Sequence, residues 1–286
     1  MKTIITYRDL WQQLCAIYGE SESKAIVRTL LEDCFGMSYT DIVCNGASLM
    51  SPSDLLRLEE MMKRLRSNEP IQYITGREWF GGRSFSVGEG VLIPRPETYD
   101  LCRWIIDSRH GQPSPDGECS ILDIGTGSGC IAVTLALETC HSAVTAWDIS
   151  DTALKTASAN ADDLNANIHF TKQDALNPPA DSCKWDVIVS NPPYIAQKER
   201  PTMQANVVCY EPSMALFVPD DDPLLYYHSI SRYASTALKK DGALYFEINP
   251  AYAGEMVALL RHDGFASIEI RADRYGRQRM IKCIKE

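Results

Sequence analysis

The sequence predicts an α/β fold: a mostly parallel sheet with helices on its faces and an antiparallel last strand, preceded by a small helical bundle and a β-hairpin linker. Three observations predict it. Short apolar runs of strand length follow one another through residues 120–284, with helical stretches between the earlier ones. The first of them, Ser120-Ile121-Leu122-Asp123-Ile124, enters a loop carrying Gly125, Gly127 and Gly129, and a helical stretch Ile131–Leu137 follows. Strand, glycine loop and helix in that order open a nucleotide-binding α/β domain. Residues 1–69, by contrast, carry helical periodicity alone.

In chain order, Arg8–Leu14 and Lys24–Leu31 are amphipathic at helical spacing, and Leu55, Leu58, Met61, Met62 and Leu65 repeat the pattern on a third helix. Such stripes form a core rather than a cofactor site. Residues 70–93 read as a strand pair, with Gly81-Gly82 as the hairpin turn between Glu78-Trp79-Phe80 and Ser84–Val87. Pro94-Arg95-Pro96 gives an extended entry to a helix over Glu97–Ile106, where Arg95 and Glu97 either line a pocket or cap and position the helix. Residues 110–117 read as a surface loop, with Gly111, Pro113 and Pro115. Further strands follow at Ala143–Trp147, Ile168–Phe170, Trp185–Ser190 and Gly242–Glu247, and Ser267–Arg271 with Arg279–Ile284 make a final antiparallel pair. The expected domains are therefore 1–69, 70–93 and 94–286.

The most telling motif is Asn191-Pro192-Pro193-Tyr194 at the exit of the fourth strand. The two prolines have no backbone N–H, so the turn offers carbonyl acceptors with few donors to consume them. Asn191 adds a side-chain oxygen and Tyr194 an aromatic face. Two acceptors and a flat wall suit a planar –NH2 group. A proline-rich strand exit would also read this way, and the upstream residues decide between the two. The loop Gly125-Thr126-Gly127-Ser128-Gly129 has G-x-G-x-G spacing. The dinucleotide fingerprint needs its third small residue at Cys130, and a phosphate loop needs Gly-Lys-Ser/Thr. The loop therefore admits a ligand closely without calling for a pyrophosphate. Asp148 ends the second strand, nineteen residues after Gly129, where an acid commonly binds ribose hydroxyls. The other reading makes it a helix cap beside Ser150 and Asp151. Gln173-Asp174-Ala175, after the third strand, is placed to border an adenine.

In combination, the glycine loop, Asp148 and Asn-Pro-Pro-Tyr resemble the S-adenosylmethionine-dependent methyltransferases that act on planar nitrogen. The resemblance narrows over residues 70–282. Pro70–Gly76, Phe80-Gly81, Val91–Thr98, Tyr210-Glu211-Pro212 with Ala215-Leu216, Glu247, and Asp273, Gly276, Arg277 and Arg279 resemble the peptide chain release factor N5-glutamine methyltransferases. That family implies a Rossmann-like class I methyltransferase domain and transfer of a methyl group from S-adenosylmethionine, leaving S-adenosylhomocysteine. It also implies a substrate, the glutamine of the Gly-Gly-Gln loop of class I release factors, gripped in part by the helical domain. Cofactor binding then falls to Gly125, Thr126, Gly127, Ser128, Gly129, Asp148, Asp174, Ala175 and Asn191. Substrate binding falls to Asn191, Pro192, Pro193 and Tyr194, with Asn191, Pro192 and Tyr194 as the catalytic set. Tyr99 stands where the family usually has a second Glu, and Val218–Leu224 departs from the family's glycine-rich segment.

Composition and the turn disfavour other classes. A net charge of −10 argues against a broad nucleic-acid footprint, and so against adenine-N6 methylation of DNA, the first alternative. A non-catalytic cofactor-binding scaffold, the second, has no need of an acceptor-rich turn. The ten cysteines form no C-x-x-C pair and no metal-ligand spacing with His, so no metal is expected. Scattered thiols without a signal peptide place the chain in a reducing cytoplasm. No run is long enough for a membrane span, and a monomer is expected.

Overall fold

The structure is a computed structural model that describes residues 5–109 and 117–286. The loop expected over 110–117 lies, apart from Gly117, outside the described residues. The chain forms two units, one running to Arg77 and including Gln204–Tyr210, the other comprising Glu78–Met203 and Glu211–Glu286.

The first unit is helical: α1 Tyr7–Gln12, α2 Cys15–Tyr18, α3 Glu20–Phe35, α4 Tyr39–Asn45, α5 Pro52–Arg66 and α6 Ile71–Thr75. Side chains written into the sequence set the helix ends. Thr6 and Asp9 form a reciprocal capping box, Ser38 and Ser51 accept from the N–H groups of Asp41 and Asp54, and Gly36 closes α3 in the left-handed region. The apolar stripes meet in one core, where Val27, Leu30 and Leu31 of α3 pack with Leu58, Met62 and Leu65 of α5. One element departs from expectation. Ile71–Thr75, read as the start of a strand pair, is a single helical turn. Pro70 enters it at φ −55° and Gly76 ends it at φ 76°. Burial of Tyr73 and Ile74 overrides the β-preference of its branched residues.

The hairpin is present as β1 Arg77–Phe80 and β2 Arg83–Ser86. Gly81 and Gly82 both have positive φ, and a Cβ on Gly81 would meet the Tyr99 ring at 2.5 Å. Tyr99 also packs edge-on against Phe80, with ring centroids 5.5 Å apart. The Tyr99 ring therefore packs directly on the turn.

The second unit carries a seven-stranded sheet. Its strands are β3 Cys119–Ile124, β4 Ser142–Asp148, β5 Ile168–Lys172, β6 Trp185–Ser190, β7 Leu238–Glu247, β8 Phe265–Ala272 and β9 Gln278–Lys285. The spatial order is β8-β9-β7-β6-β3-β4-β5. Strands β7, β6, β3, β4 and β5 pair in parallel, and β9 is antiparallel to both of its neighbours. The helices packed on the sheet are α7 Pro96–Arg109, α8 Cys130–Glu138, α9 Asp151–Asp163, α10 Leu225–Ala237 and α11 Ala253–His262. Alternation along the strands divides the core in two. Ile121, Val187 and Tyr245 face Leu101, Ile105 and Val133 on one side. Leu122, Ile188 and Phe246 face Tyr227, Ile230 and Leu260 on the other. Both faces are covered, which is why these strands read as unbroken apolar runs. From β3 the chain builds towards β4 and β5 on one side, while β6 and β7 lie on the other. That reversal leaves a crevice beyond the carboxyl ends of β3 and β6, where open α/β sheets bind ligands.

Candidate active site

A cavity of ≈ 540 Å³ lies at these carboxyl ends, walled by residues 124–128, 148–150, 173–176 and 190–193. Its size is within the roughly 300–1,000 Å³ of small-molecule sites. Ile149, Leu176, Tyr226 and Ile230 make part of the wall apolar.

The glycine loop takes its shape from left-handed backbone at Gly125, Gly127 and Gly129, with φ of 76°, 57° and 82°, which other residues rarely adopt. The N–H groups of Gly125 and Thr126 both donate to the Trp147 carbonyl at 2.9 Å, folding the loop back onto β4. Beneath it Thr126 donates to the fully buried Asp123 at 2.7 Å. Burial pushes the Asp123 carboxyl up to about 7, Asp148 adds to the rise, and the Thr126 hydroxyl opposes it. Its folded value lies above the unfolded one, so its contribution to stability is present at low pH and is lost as pH rises towards 7. Asn160, also buried, donates to the carbonyls of Ser86 and Ser128 and accepts from the Ser86 N–H. Neither Asp123 nor Asn160 was singled out in the sequence. Asp123 stood in plain view at the end of an apolar strand, whereas nothing in helix α9 marked Asn160.

Gly125, Thr126, Gly127 and Ser128 line the cavity, and Gly129 does not. A Cβ on Gly129 would lie 3.0 Å from the Cβ of Ala157 in α9, so this third glycine serves close packing of α8 and α9 rather than ligand contact. Gly129→Ala should destabilise the protein by at least about 1–2 kcal/mol from the left-handed backbone alone. A thermal melt checks this, and an unchanged midpoint would contradict the packing role.

Asp148 ends β4 in the cavity wall. One carboxylate oxygen accepts from Gly127 N–H and the other from Ser150 N–H, each at 2.9 Å. Burial raises its pKa, while the N–H groups of Ser150, Gly127 and Ile149 pull it back. The helix-cap task of the alternative reading falls to Ser150, whose hydroxyl accepts from Ala153 N–H. With three backbone N–H groups directed at it, the carboxylate still has acceptor capacity to spare. Asp174 and Ala175 also line the cavity. Asp174 is held in its loop by accepting from Leu176 N–H and the Asn177 amide.

Asn191, Pro192 and Pro193 form the facing wall. Asn191 Nδ2 donates to Thr98 Oγ1 at 3.2 Å, Thr98 donates to Glu247 Oε2 at 2.6 Å, and Tyr194 OH donates to Glu247 Oε1 at 3.0 Å. Glu247 is fully buried at the end of β7, and burial raises its pKa against the opposing pull of Thr98, Tyr194 and Arg279. Tyr194 is not among the residues that line the cavity: its ring packs on the second core and its hydroxyl is committed to Glu247. Of the two residues left open at the entry to α7, Arg95 lines the cavity and pairs with Glu211, which also accepts from Ile93 N–H. In the family-variant acidic segment, Asp220 accepts from Lys198 N–H at 2.8 Å. Four of the cysteines, Cys102, Cys119, Cys130 and Cys283, are buried as small hydrophobes, while Cys44, Cys140, Cys183 and Cys209 are exposed.

Comparison with known proteins places the chain. The family pattern of the PrmC N-terminal domain matches residues 8–76, and that of the methyltransferase small domain matches residues 113–213. The chain is 41% identical over 273 residues to a release factor glutamine methyltransferase of Bacteroides thetaiotaomicron, covering 94% of this chain and 95% of that protein. It is 40% identical over 271 residues to the protein of the same description from Flavobacterium psychrophilum, covering 95% of each. Among solved structures, a ribosomal protein L11 methylase from Lactobacillus delbrueckii subsp. bulgaricus superposes with a TM-score of 0.47 at 21% identity, over 70% of this chain and 84% of that one.

Proposed function

Because the chain belongs to the release factor glutamine methyltransferase family, we propose that it methylates the side-chain nitrogen of the glutamine in the Gly-Gly-Gln motif of class I release factors, using S-adenosylmethionine. The observation that carries this reading is the acceptor-rich turn Asn191–Pro193 in the wall of the same cavity as Asp148.

The cavity residues fit the cofactor. Asp148, held by two backbone N–H donors, presents spare acceptor capacity to a ribose. Ile149, Leu176 and Tyr226, with Asp174 and Ala175, suit a purine, and the glycine loop allows close approach of the amino-acid portion. When bound, the cofactor supplies a methyl group activated by a sulfonium centre with a neutral leaving group. The protein's residues supply the rest. A carboxamide nitrogen is a poor nucleophile because its lone pair is delocalised into the carbonyl. Asn191 Oδ1 and the Pro192 carbonyl accept its two N–H bonds and fix the plane of the amide. Their dipoles favour positive charge growing on nitrogen as resonance is lost, and alignment at near-attack distance lowers the barrier further. An N-alkylated amide cation is strongly acidic, so its proton leaves without a dedicated base. In this reading the Tyr194 hydroxyl holds the turn through Glu247, and its ring face packs on the substrate amide.

In this reading residues 1–69 are a substrate-gripping domain, 70–93 a linker and 94–286 the catalytic domain. The partner is a protein and not a nucleic acid, as the net charge of −10 favours. The enzyme works as a monomer in the cytoplasm; among the described residues no helix is long and apolar enough to cross a membrane.

Label transfer from radioactive cofactor to a purified class I release factor, duplex DNA and RNA tests the reading. The release factor is expected to be labelled, and a variant lacking the Gly-Gly-Gln glutamine to stay unlabelled while still binding. Labelled DNA, or continued labelling of the glutamine-less factor, would overturn it.

A further inference from the structure

We infer that Thr98 and Glu247 together set which way the Asn191 side-chain amide faces, and so act as positioning residues for the acceptor that receives the substrate nitrogen. The inference rests on the reading of the site given above, and it assigns work to the Pro-Glu-Thr entry of α7 and to the last residue of β7. Neither residue belongs to the Asn-Pro-Pro-Tyr turn.

An asparagine amide has an oxygen end and an NH2 end of nearly equal shape, and only its partners decide between them. A threonine hydroxyl has one proton. Here Thr98 gives that proton to Glu247 Oε2 at 2.6 Å. Tyr194 gives its own to Glu247 Oε1 at 3.0 Å. The carboxylate thus receives a hydrogen bond on each oxygen and returns none. Thr98 Oγ1 is left with lone pairs only, and towards Asn191 it can only accept. Asn191 therefore turns Nδ2 to it, at 3.2 Å. Among the described residues no donor engages Asn191 Oδ1, which remains as the acceptor in a residue that lines the cavity. Turned the other way, the amide would aim two N–H donors at the N–H donors of the substrate. Thr98 lines the same cavity as Asn191, and it and Glu247 are both buried. Tyr227 donates to the Glu247 backbone carbonyl at 2.8 Å and fixes the main chain there.

The test combines spectroscopy with a substitution cycle. In protein labelled at asparagine and threonine, the Asn191 NH2 protons should show cross-relaxation to the Thr98 methyl, whether or not a release factor is present. Absence of that signal would overturn the inference without touching the substrate assignment. Thr98→Val keeps the shape and removes the hydroxyl. It should lower kcat on a release factor roughly 10-fold to 100-fold, and lower the melting midpoint because a buried Glu247 oxygen loses its donor, while cofactor affinity by calorimetry stays close to the parent's. Thr98→Ser, which keeps the hydroxyl, should return kcat to within about threefold of the parent. Aspartate presents an oxygen whichever way it turns, so Asn191→Asp should be much less harmful on the Thr98→Val background than alone. Additive losses for the two substitutions, or a Thr98→Val loss confined to cofactor affinity, would overturn the inference. Failure of the parent to label any release factor would overturn the substrate reading instead, and the cross-relaxation result would stand independently of it.

Discussion

Replacing Asn191 with alanine should lower turnover on a release factor roughly 100-fold or more, the range seen when one preorganised polar contact is removed from a reacting centre. Three features support an effect of that size. Asn191 lines the cavity at the exit of β6. Its amide is held by a buried network that ends on Glu247. Its Oδ1 is one of only two acceptors assigned to the substrate nitrogen, so alanine leaves one N–H of the substrate without a partner. Affinity for the cofactor should change far less, because Asp148 and the glycine loop remain. Single-turnover kinetics separate the two quantities, and near-normal turnover of Asn191→Ala would remove this residue from the chemistry.

Asp148→Ala should act on the other quantity. Charge-assisted hydrogen bonds to hydroxyls are worth about 1.5–3 kcal/mol, so cofactor affinity should weaken roughly 10-fold to 150-fold. The carboxylate also holds Gly127 N–H at 2.9 Å, and its loss loosens the loop that lines the same cavity. Because burial raises the Asp148 pKa, affinity in the parent protein should fall as pH drops through that raised value, where the carboxylate takes up a proton. The alanine variant should lose this dependence. Calorimetry checks the affinity and circular dichroism the fold; an unchanged dissociation constant would leave Asp148 with a structural task only.

The lining of the candidate site was legible in the sequence where it depended on local spacing. Glycines in a G-x-G-x-G loop, an acid at the end of the next strand and two prolines after the fourth strand each carry their meaning within a few residues. The sheet was legible for the same reason: Trp185–Ser190 is both the apolar run and the strand. What escaped depended on contacts between residues far apart in the chain. Thr98 meets Glu247 across 149 positions, and no periodicity announces such a pair. Gly129 predicts a ligand contact from its place in the loop, and its close approach to Ala157 in the next helix has no local signal. The motif predicts an aromatic wall at Tyr194, but no local spacing announces that its hydroxyl donates to the buried Glu247 carboxylate. Ile71–Thr75 looked like strand because its branched residues favour strands locally, and tertiary burial made it a helical turn. Tyr99 is the opposite case, a departure from the family pattern that the structure explains through its contact with Gly81 and Phe80.

The central claim, methyl transfer to an amide nitrogen held by Asn191 and Pro192, is tested most directly by peptide mapping of a class I release factor after incubation with the protein and S-adenosylmethionine. The expected result is one added methyl group on the side-chain nitrogen of the Gly-Gly-Gln glutamine, absent when the Asn191→Ala variant is used for the same time. A methyl group on any other residue, or an unmodified glutamine under conditions where the protein binds both cofactor and release factor, would contradict it.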